Sequence, residues 1–245
     1  MNAPHAGPSA GGPGPSAQPA PALLFDVYGT LGDPSGMANA LAAVTQDAQR
    51  LARSWRIHQL QISWLLSLMQ RYEDFEAVTA YALETAFAEA GLELTTGARR
   101  AALRGLESLA LYDDVAPALE RLESAGCVLA VLSNGSPSML ESLLRNAGIR
   151  DRFQHVISVD EVRVFKPSPA VYRHAAARLG RPSEQLWLVS ANPFDAAGGK
   201  AAGMRVAKVE REPSYSYPFA APPNLIVSTL HELADSIGVA QEVHR

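Results

Sequence analysis

The stretch Ala22-Leu23-Leu24-Phe25-Asp26-Val27-Tyr28-Gly29-Thr30 decides the fold that we predict for this chain. It starts as a short apolar run, places an acid near the end of that run and continues into a glycine-containing turn. Such a pattern is typical of a buried strand whose carboxyl end opens into a loop. We therefore predict a first strand that ends near Asp26.

Composition limits the classes of protein to consider. The chain has 245 residues, of which 47% are hydrophobic, and a net charge of −4 without a cluster of Lys and Arg. This length is enough for one substantial domain or for a core with one inserted subdomain. The charge balance argues against a nucleic-acid partner, and the apolar stretches end long before the ~20 residues of a membrane helix. We expect a cytoplasmic protein with neither a nucleic-acid nor a membrane partner.

Two further features of the sequence concern the leader and the single cysteine. Residues 1–20 are rich in Pro, Gly and Ala and have neither a basic start nor an apolar centre, so we expect a disordered leader without a targeting role. Cys127 lies just before the apolar run Val128–Leu132. A buried residue in a reducing compartment is far more frequent at such a place than a catalytic thiol, and no disulfide can form within the chain.

Residues 35–111 differ in character from the rest of the chain. Apolar side chains recur there at helical spacing, as at Leu60, Trp64 and Leu68, and there is hardly any strand signal. This segment is predicted to be a helical cap inserted after the first strand.

The predicted core, residues 21–34 and 112–238, alternates short apolar strands with amphipathic helices. The predicted helices are Val115–Ala125, Ser138–Asn146, Pro169–Leu179 and Ala196–Ala202, and the later strands are Cys127–Leu132, Val156–Val159, Leu186–Val189, Arg205–Val209 and Leu225–Val227. This order predicts an α/β fold with a doubly wound, mostly parallel, Rossmann-like sheet. Ligands of such sheets bind beyond the carboxyl ends of the strands.

Polar side chains stand at the ends of four predicted strands. In strand order they are Asp26 and Thr30, then Ser133-Asn134-Gly135, then Lys166, then Ser190, Asn192 and Asp195. Each of them alone is most often a cap or a turn residue. Their joint occurrence in strand order predicts that they share one crevice.

Four motifs contain these residues: Asp26-Val27-Tyr28-Gly29-Thr30-Leu31, Leu132-Ser133-Asn134-Gly135-Ser136, Ser158-Val159-Asp160-Glu161-Val162-Arg163 followed by Phe165-Lys166-Pro167, and Ser190-Ala191-Asn192-Pro193-Phe194-Asp195. Together they resemble the haloacid dehalogenase superfamily, and within it the L-2-haloacid dehalogenases. The resemblance runs from about Ala22 to Val227. In the cap it rests on Trp55-Arg56, Trp64-Leu65, Ser67-Leu68-Met69, Tyr72 and Asp74-Phe75. The chain departs from the subfamily pattern at Gly32-Asp33-Pro34, Ala191 and Pro193.

The superfamily includes many phosphatases, so the resemblance leaves two chemistries to separate. Similar phosphatases carry a second Asp two residues after the nucleophile, which protonates an alkoxide leaving group; here that residue is Tyr28. A phenol with a pKa of about 10 is a poor proton donor at neutral pH, whereas a halide needs no proton. Asp195 is also the one carboxylate in residues 190–199, which leaves a Mg²⁺ site short of ligands. We therefore expect a hydrolase that cleaves carbon–halide bonds without a metal or cofactor.

The resemblance implies a covalent mechanism that converts small (S)-2-haloacids to (R)-2-hydroxyacids. Asp26 attacks C2 of the substrate, halide leaves, and water hydrolyses the resulting ester. Because an anionic nucleophile meets an anionic substrate, local positive charge is needed. Lys166 beside Asp26 and Arg56 from the cap are the implied sources, and Arg56 together with Asn134 would stabilise the departing halide.

The other implied site residues have three roles. Ser133 and nearby backbone N–H groups would bind the substrate carboxylate. An apolar wall around the halogen-bearing carbon would consist of Tyr28, Leu60, Phe75 and Phe194. Asn192 and Asp195 would position and activate water, while Ser190, Thr30 and Tyr172 would hold Lys166 and Asp26 in place.

Plainer roles stay open for several of these residues. They are a surface lysine for Lys166, a solvated helix arginine for Arg56 with Arg53 one turn away, a helix N-cap for Ser133, and packing for Leu60, Phe75 and Tyr172. For the whole chain, a Mg²⁺-dependent phosphatase and a catalytically silent protein of the same fold stay open. The expected partner is a small haloacid substrate, and a homodimer is left open.

Overall fold

Six parallel strands form one sheet in the order β3-β2-β1-β4-β5-β6. This computed structural model describes residues 20–107, 109–212 and 215–242, so the predicted leader lies outside the described residues except for Ala20. The strands are β1 (Ala22–Phe25), β2 (Val128–Ser133), β3 (His155–Ser158), β4 (Leu186–Ser190), β5 (Arg205–Val209) and β6 (Leu225–Val227). The doubly wound, parallel α/β fold predicted from the sequence is thus confirmed.

The first strand lies in the centre of the sheet, between β2 and β4, and all four of its residues are buried. Parallel strands covered on both faces are continuous apolar runs, as this one is. Phe25 pairs in register with Val131 of β2 and with Val189 of β4. The carboxyl ends of these three strands therefore reach the same edge of the sheet, and the strand order reverses between β1 and β4, where such sheets bind ligands.

Residues 35–111, which follow β1, contain four helices. They are α1 (Ser35–Leu41), α2 (Ala48–Leu68), α3 (Phe75–Glu89) and α4 (Thr96–Glu107). The chain enters and leaves this region side by side, since Asp33 N donates to Ala110 O at 2.8 Å and Tyr112 N donates to Leu31 O at 3.1 Å. We call residues 35–111 the cap segment; its limits, like those of the core, stay a prediction.

Five helices accompany the remaining strands: α5 (Val115–Ser124), α6 (Pro137–Asn146), α7 (Pro169–Leu179), α8 (Pro193–Ala201) and α9 (Leu230–Glu242). The predicted helix at 196–202 begins three residues earlier, at Pro193. Proline fits the first turn of a helix because that N–H has no helical partner. The helix α9 has no counterpart among the predicted elements, and among the described helices none is both long and apolar enough to span a membrane.

Candidate active site

The loop after β1 turns the side chain of Thr30 back onto Asp26. The carbonyl of Val27 accepts hydrogen bonds from the N–H groups of Thr30, Leu31 and Gly32, at 2.9 to 3.2 Å. Gly29 has a φ of +86°, a conformation that a side chain would disfavour. As a result Thr30 Oγ1 donates to Asp26 Oδ2 at 2.9 Å.

The two carboxylate oxygens of Asp26 have different partners. Besides Thr30, Oδ2 accepts a hydrogen bond from Asn192 Nδ2 at 2.7 Å, and Ser190 Oγ lies 3.5 Å away. Oδ1 accepts from Lys166 Nζ at 3.2 Å. Asp26 itself is only 6% exposed, so these donors take the place of water around a buried acid.

The ammonium of Lys166 lies between two carboxylates. Its Nζ is 3.2 Å from Asp26 Oδ1 and 2.9 Å from Asp195 Oδ2, and the Lys166 side chain is 1% exposed. Burial alone would lower the pKa of Lys166, but the carboxylates of Asp195 and Asp26 raise that pKa above the ordinary lysine value. The surface-lysine interpretation of Lys166 is therefore wrong.

Tyr172 on α7 contacts Asp195 rather than the pair it was expected to hold. Its hydroxyl donates to Asp195 Oδ1 at 2.8 Å, while Lys166 occupies the other oxygen. Burial raises the pKa of Asp195, and the Lys166 ammonium opposes that rise without cancelling it. Burial and the Asp195 charge raise the pKa of Tyr172 well above its ordinary value, so the phenol stays protonated and donating. The sequence-based role of Tyr172, holding Lys166 and Asp26, changes to holding Asp195.

Asn192, expected to position water, contacts the loop after β1 through its side-chain amide. Its Nδ2 donates to Asp26 Oδ2 and, at 3.0 Å, to the carbonyl of Tyr28. Its role towards water stays a prediction. Thr30, which donates to Asp26, also accepts a hydrogen bond from Ala191 N at 2.9 Å, and this contact connects the loops after β1 and β4.

The loop after β2 supplies Ser133 and Asn134. Ser133 is fully buried, and its Oγ accepts from Gly135 N at 3.2 Å. The N-cap of α6 is Ser136, whose side chain accepts from Met139 N, so the alternative of Ser133 as that cap is wrong. Asn134 Oδ1 accepts from the backbone N of Lys166 at 3.0 Å.

Arg56 on α2 is half-buried and is attracted by the charge of Asp26. Burial lowers the pKa of Arg56, and Asp26 and Tyr28 act in the opposite direction. Its Nη1 lies 3.4 Å from Gln59 Oε1, and Gln59 Nε2 donates to Thr79 Oγ1 at 3.0 Å. Arg53, by contrast, is exposed. Between the two arginines, Arg56 is the one that is attracted by the charge of Asp26.

The aromatic residues of the predicted wall separate into two groups. The rings of Tyr28 and Phe75 lie 5.8 Å apart, and both side chains are buried. Phe194 instead contacts the ring of Trp64 at 5.6 Å. Leu60 is half-buried on α2. The structure therefore brings Tyr28 and Phe75 together and places Phe194 against a different aromatic partner.

An apolar cavity of about 690 Å³ lies beside Trp64 and Phe194. Its lining residues are Trp64, Ser67, Leu68, Val164, Phe165, Pro167, Ser168, Phe194, Ala197, Gly198, Ala201, Tyr217 and Phe219. Phe194 lines it, whereas Asp26 and Arg56 do not.

Comparison with known proteins decides the family. The model of the haloacid dehalogenase-like hydrolase family matches residues 20–203, which is more than half of the chain. The chain belongs to the haloacid dehalogenase-like hydrolases. Within this family it is 36% identical over 219 residues to (S)-2-haloacid dehalogenase 2 of Pseudomonas sp. (strain CBS-3), a match that covers 89% of this chain and 96% of that protein. It is 41% identical over 191 residues to the (S)-2-haloacid dehalogenase of Xanthobacter autotrophicus, covering 78% and 75%.

A solved structure shows the same likeness. The L-2-haloacid dehalogenase from Xanthobacter autotrophicus with chloropropionic acid covalently bound matches this haloacid dehalogenase-like hydrolase with a TM-score of 0.84 and 34% identity. The match covers 89% of this chain and 98% of that one. The expected membership of this family, stated from four motifs, is confirmed.

The donor set does not fit a divalent cation, which the phosphatase alternative requires. A cation shared by Asp26 and Asp195 would have to lie where the Lys166 ammonium already contacts both carboxylates. Two positive centres in one buried place repel strongly. In the described parts of the chain no cluster of three or more His, Cys, Asp and Glu could hold a metal.

Three residues that support the site of this haloacid dehalogenase-like hydrolase were not predicted. Arg211 donates from Nε and Nη2 to the carbonyl of Thr30 at 3.2 and 3.0 Å. Trp64 Nε1 donates to the carbonyl of Lys166 at 3.1 Å, and Gln59 contacts Arg56. Arg211 and Trp64 both donate to backbone carbonyls. Every residue has a carbonyl, so no sequence motif indicates these contacts.

Proposed function

We propose that this protein hydrolyses small (S)-2-haloacids to (R)-2-hydroxyacids and halide through an ester on Asp26, without a metal. The observation that carries the proposal is the Lys166 ammonium in contact with both Asp26 and Asp195. It places a fixed positive side-chain charge against both carboxylates. With Tyr28 two residues after Asp26, a group that departs without a proton suits the site best.

In the first step, Asp26 Oδ1 attacks C2 and the carbon–halogen bond breaks with the electron pair on the halide. Oδ1 accepts one hydrogen bond, from Lys166, whereas Oδ2 faces Thr30, Asn192 and Ser190. The oxygen with fewer donors keeps the more available lone pairs. The Arg56 guanidinium supplies positive charge on the substrate side as halide forms.

In the second step, water adds to Cγ of the Asp26 ester and negative charge develops on Oδ2. The three donors already directed at Oδ2 stabilise that charge without rearrangement. Asp195, whose pKa is raised by burial, accepts one proton from the attacking water and then releases it to solvent. When the bond between Cγ and Oδ1 breaks, Oδ1 takes up the second water proton and leaves as the hydroxyl oxygen of the product. Asp26 is restored as a carboxylate with one oxygen from water.

The substrate class is supported by two features of the site and by the relatives. Tyr28 and Phe75 offer an apolar surface beside Asp26, and the Ser133 loop leads into the start of α6, where backbone N–H groups favour an anion. The relatives bear the name (S)-2-haloacid dehalogenase, and one solved relative holds chloropropionic acid covalently. Attack opposite the leaving halide gives the (R) product.

The compartment and the assembly are also proposals. The chain has one cysteine, which suits a reducing cytoplasm. Exposed apolar residues on α2 and just after it, Leu65, Leu68 and Met69, support a homodimer. Light scattering that gives the 26.1 kDa mass of a single chain would exclude the dimer.

A halide-release assay tests the function. We expect release from (S)-2-chloropropionate and chloroacetate, little from (R)-2-chloropropionate, and no loss with EDTA; fluoroacetate extends the series to a stronger bond. Asp26→Asn should abolish release, while Asp235→Asn, a surface acid paired with Arg121, should leave it unchanged. Mg²⁺-dependent turnover of aryl phosphate without halide release would establish the phosphatase instead, and no turnover of either class would favour the silent protein.

A further inference from the structure

The backbone around Lys166 is held from two directions. Lys166 N donates to Asn134 Oδ1 of the core at 3.0 Å. From the cap segment, Ser67 Oγ accepts from Phe165 N at 3.1 Å, and Trp64 Nε1 donates to Lys166 O at 3.1 Å. Two of these three hydrogen bonds therefore come from α2, although Lys166 belongs to the sheet side of the site.

Aromatic packing strengthens the same connection. The ring of Phe165 lies 5.1 Å from Tyr72 and 6.0 Å from Phe75, both residues of the cap segment. The Tyr72 hydroxyl donates to Asp160, and the Arg163 guanidinium lies 5.1 Å from the centre of the Tyr72 ring. The segment that contains Lys166 is thus held against the cap segment by the residue before the lysine and by the lysine's own carbonyl.

Trp64 has a second contact with the site. Its ring meets Phe194 edge to face at 5.6 Å, and Phe194 immediately precedes Asp195. One side chain of α2 thereby touches the backbone of Lys166 and the neighbour of the acid with which Lys166 pairs.

We propose that Trp64 is a positioning residue for Lys166, and that it makes the placement of the ammonium between Asp26 and Asp195 depend on the docked position of the cap segment. Ser67, the second-to-last residue of α2, contributes through Phe165. The expected effect on the rate rests on the proposed function, whereas the placement of Lys166 by Trp64 does not.

The physical reason is that Nζ contacts two carboxylates at once from a buried side chain. Burial leaves the four rotatable bonds of the lysine little room to adjust, so a shift of the backbone at Lys166 moves the ammonium relative to both carboxylates. Reacting groups misplaced by about 1 Å lose up to about a hundredfold in rate. Two hydrogen bonds on adjacent peptide groups are the direct means of preventing such a shift.

Lysine labelling with an amine-reactive acetylating reagent tests the geometry without any assay of function. The chain has three lysines, Lys166, Lys200 and Lys208. Lys166 and Lys208 are each 1% exposed, and Lys200 is half-buried, so Lys208 reports general loosening and Lys200 reports reagent activity. In Trp64→Phe, peptide mass spectrometry should show labelling of Lys166 raised roughly fivefold relative to Lys208, as the loss of one net hydrogen bond implies.

Matched variants control for the substitutions themselves. Trp187→Phe alters a half-buried tryptophan of β4 that contacts Arg205, and Ser63→Ala alters a serine of α2 whose hydroxyl donates within its own helix to Leu60 O. Both should leave Lys166 protected, whereas Ser67→Ala should act like Trp64→Phe.

The activity of the same variants completes the test. Trp64→Phe should lower kcat by roughly tenfold with little change in KM, because the lysine and not substrate binding is disturbed. Unchanged Lys166 labelling, or labelling of Lys166 and Lys208 that rises in parallel, would overturn the proposal. If the wild-type protein releases no halide, the proposed function fails, and the labelling ratio still decides the role of Trp64.

Discussion

At the scale of single residues, the site depends on a difference between the hydrogen-bond partners of the two carboxylate oxygens of Asp26. Three donors converge on Oδ2 and one cation contacts Oδ1. In the proposed mechanism these oxygens take different roles, one as the attacking atom and the other as the atom that bears charge during ester hydrolysis. The sequence could predict the presence of Asp26, Thr30 and Lys166 from strand-end motifs. It could not predict which oxygen each would face.

The pH dependence of the rate follows from Lys166. Its pKa is raised above the ordinary lysine value by Asp195 and Asp26, so the charged form persists as pH rises past that value. We expect kcat/KM for halide release, measured from about pH 7 to about pH 11, to stay level through about pH 10 and to fall only above the ordinary lysine pKa. Circular dichroism at each pH controls for unfolding. A decline centred well below that value would contradict the pairing.

At the scale of elements, the contact of α7 with α8 holds Asp195 in place. Gly198 of α8 lies so close to α7 that an added Cβ would be 2.3 Å from the Tyr172 hydroxyl oxygen and 2.8 Å from Pro167 Cβ. Glycine is therefore required by space rather than by backbone conformation. The sequence does not indicate this requirement, because a glycine in a helical segment does not reveal which side chain of another element packs against it.

Gly198→Ala should therefore displace the Tyr172 hydroxyl from Asp195. We expect the overpacking to cost about 1–3 kcal/mol in the free energy of unfolding, and kcat to fall by roughly tenfold or more. Gly97→Ala on α4 is the matched control, since the nearest atom to its added Cβ is 3.9 Å away. Equal kinetics for the two variants would show that the packing of Gly198 does not serve the site.

Helical spacing predicted the cap helices well but not which face of them is buried. The apolar series Leu60, Trp64 and Leu68 indicated α2, yet Leu68 is 82% exposed and the other two are half-buried. The buried face of α2 instead includes Trp55, and also Gln59, which is polar. Apolar spacing predicts that a helix forms. Which face of α2 is buried depends on the surfaces that pack against it, here α3 and the site.

At the scale of the whole molecule, Arg211 connects distant parts of the core. Besides the Thr30 carbonyl, it pairs with Asp114 Oδ2 at 2.7 Å, and its guanidinium lies 4.2 Å from the centre of the Tyr112 ring. The same Asp114 oxygen accepts from Leu230 N at the start of α9. These residues come from four separate stretches of chain, and only the fold brings them together, which is why strand-end reasoning found Asp26 and missed Arg211.

This connection makes stability sensitive to acid. Burial alone would raise the pKa of Asp114, but Arg211 and the Leu230 N–H lower it below the ordinary value. A carboxyl with a lowered folded pKa stabilises the fold above its unfolded pKa, and that contribution is lost as pH falls through the folded pKa. Urea unfolding should therefore show that Asp114→Asn flattens the acid-side loss of stability below about pH 4. An unchanged pH profile would contradict the lowered pKa.

Removal of the cation should cost more than removal of the acid's charge. Arg211→Met leaves Asp114 buried without its counter-ion, and we expect a loss of about 3–5 kcal/mol in the free energy of unfolding. Arg121→Met, which breaks the exposed pair with Asp235, should cost at most about 1 kcal/mol. Similar losses in the free energy of unfolding for the two variants would show that the Arg211–Asp114 pair stabilises the core no more than an exposed ion pair does.

The central claim is that the Asp26 carboxylate itself forms the bond to C2, and the oxygen atoms record it. In a single turnover of excess enzyme with (S)-2-chloropropionate in H₂¹⁸O, ester hydrolysis at Cγ predicts one ¹⁸O in the peptide that contains Asp26 and none in the hydroxyacid. Label in the hydroxyacid, with the Asp26 peptide unlabelled, would mean that water attacks C2 directly and would contradict the account.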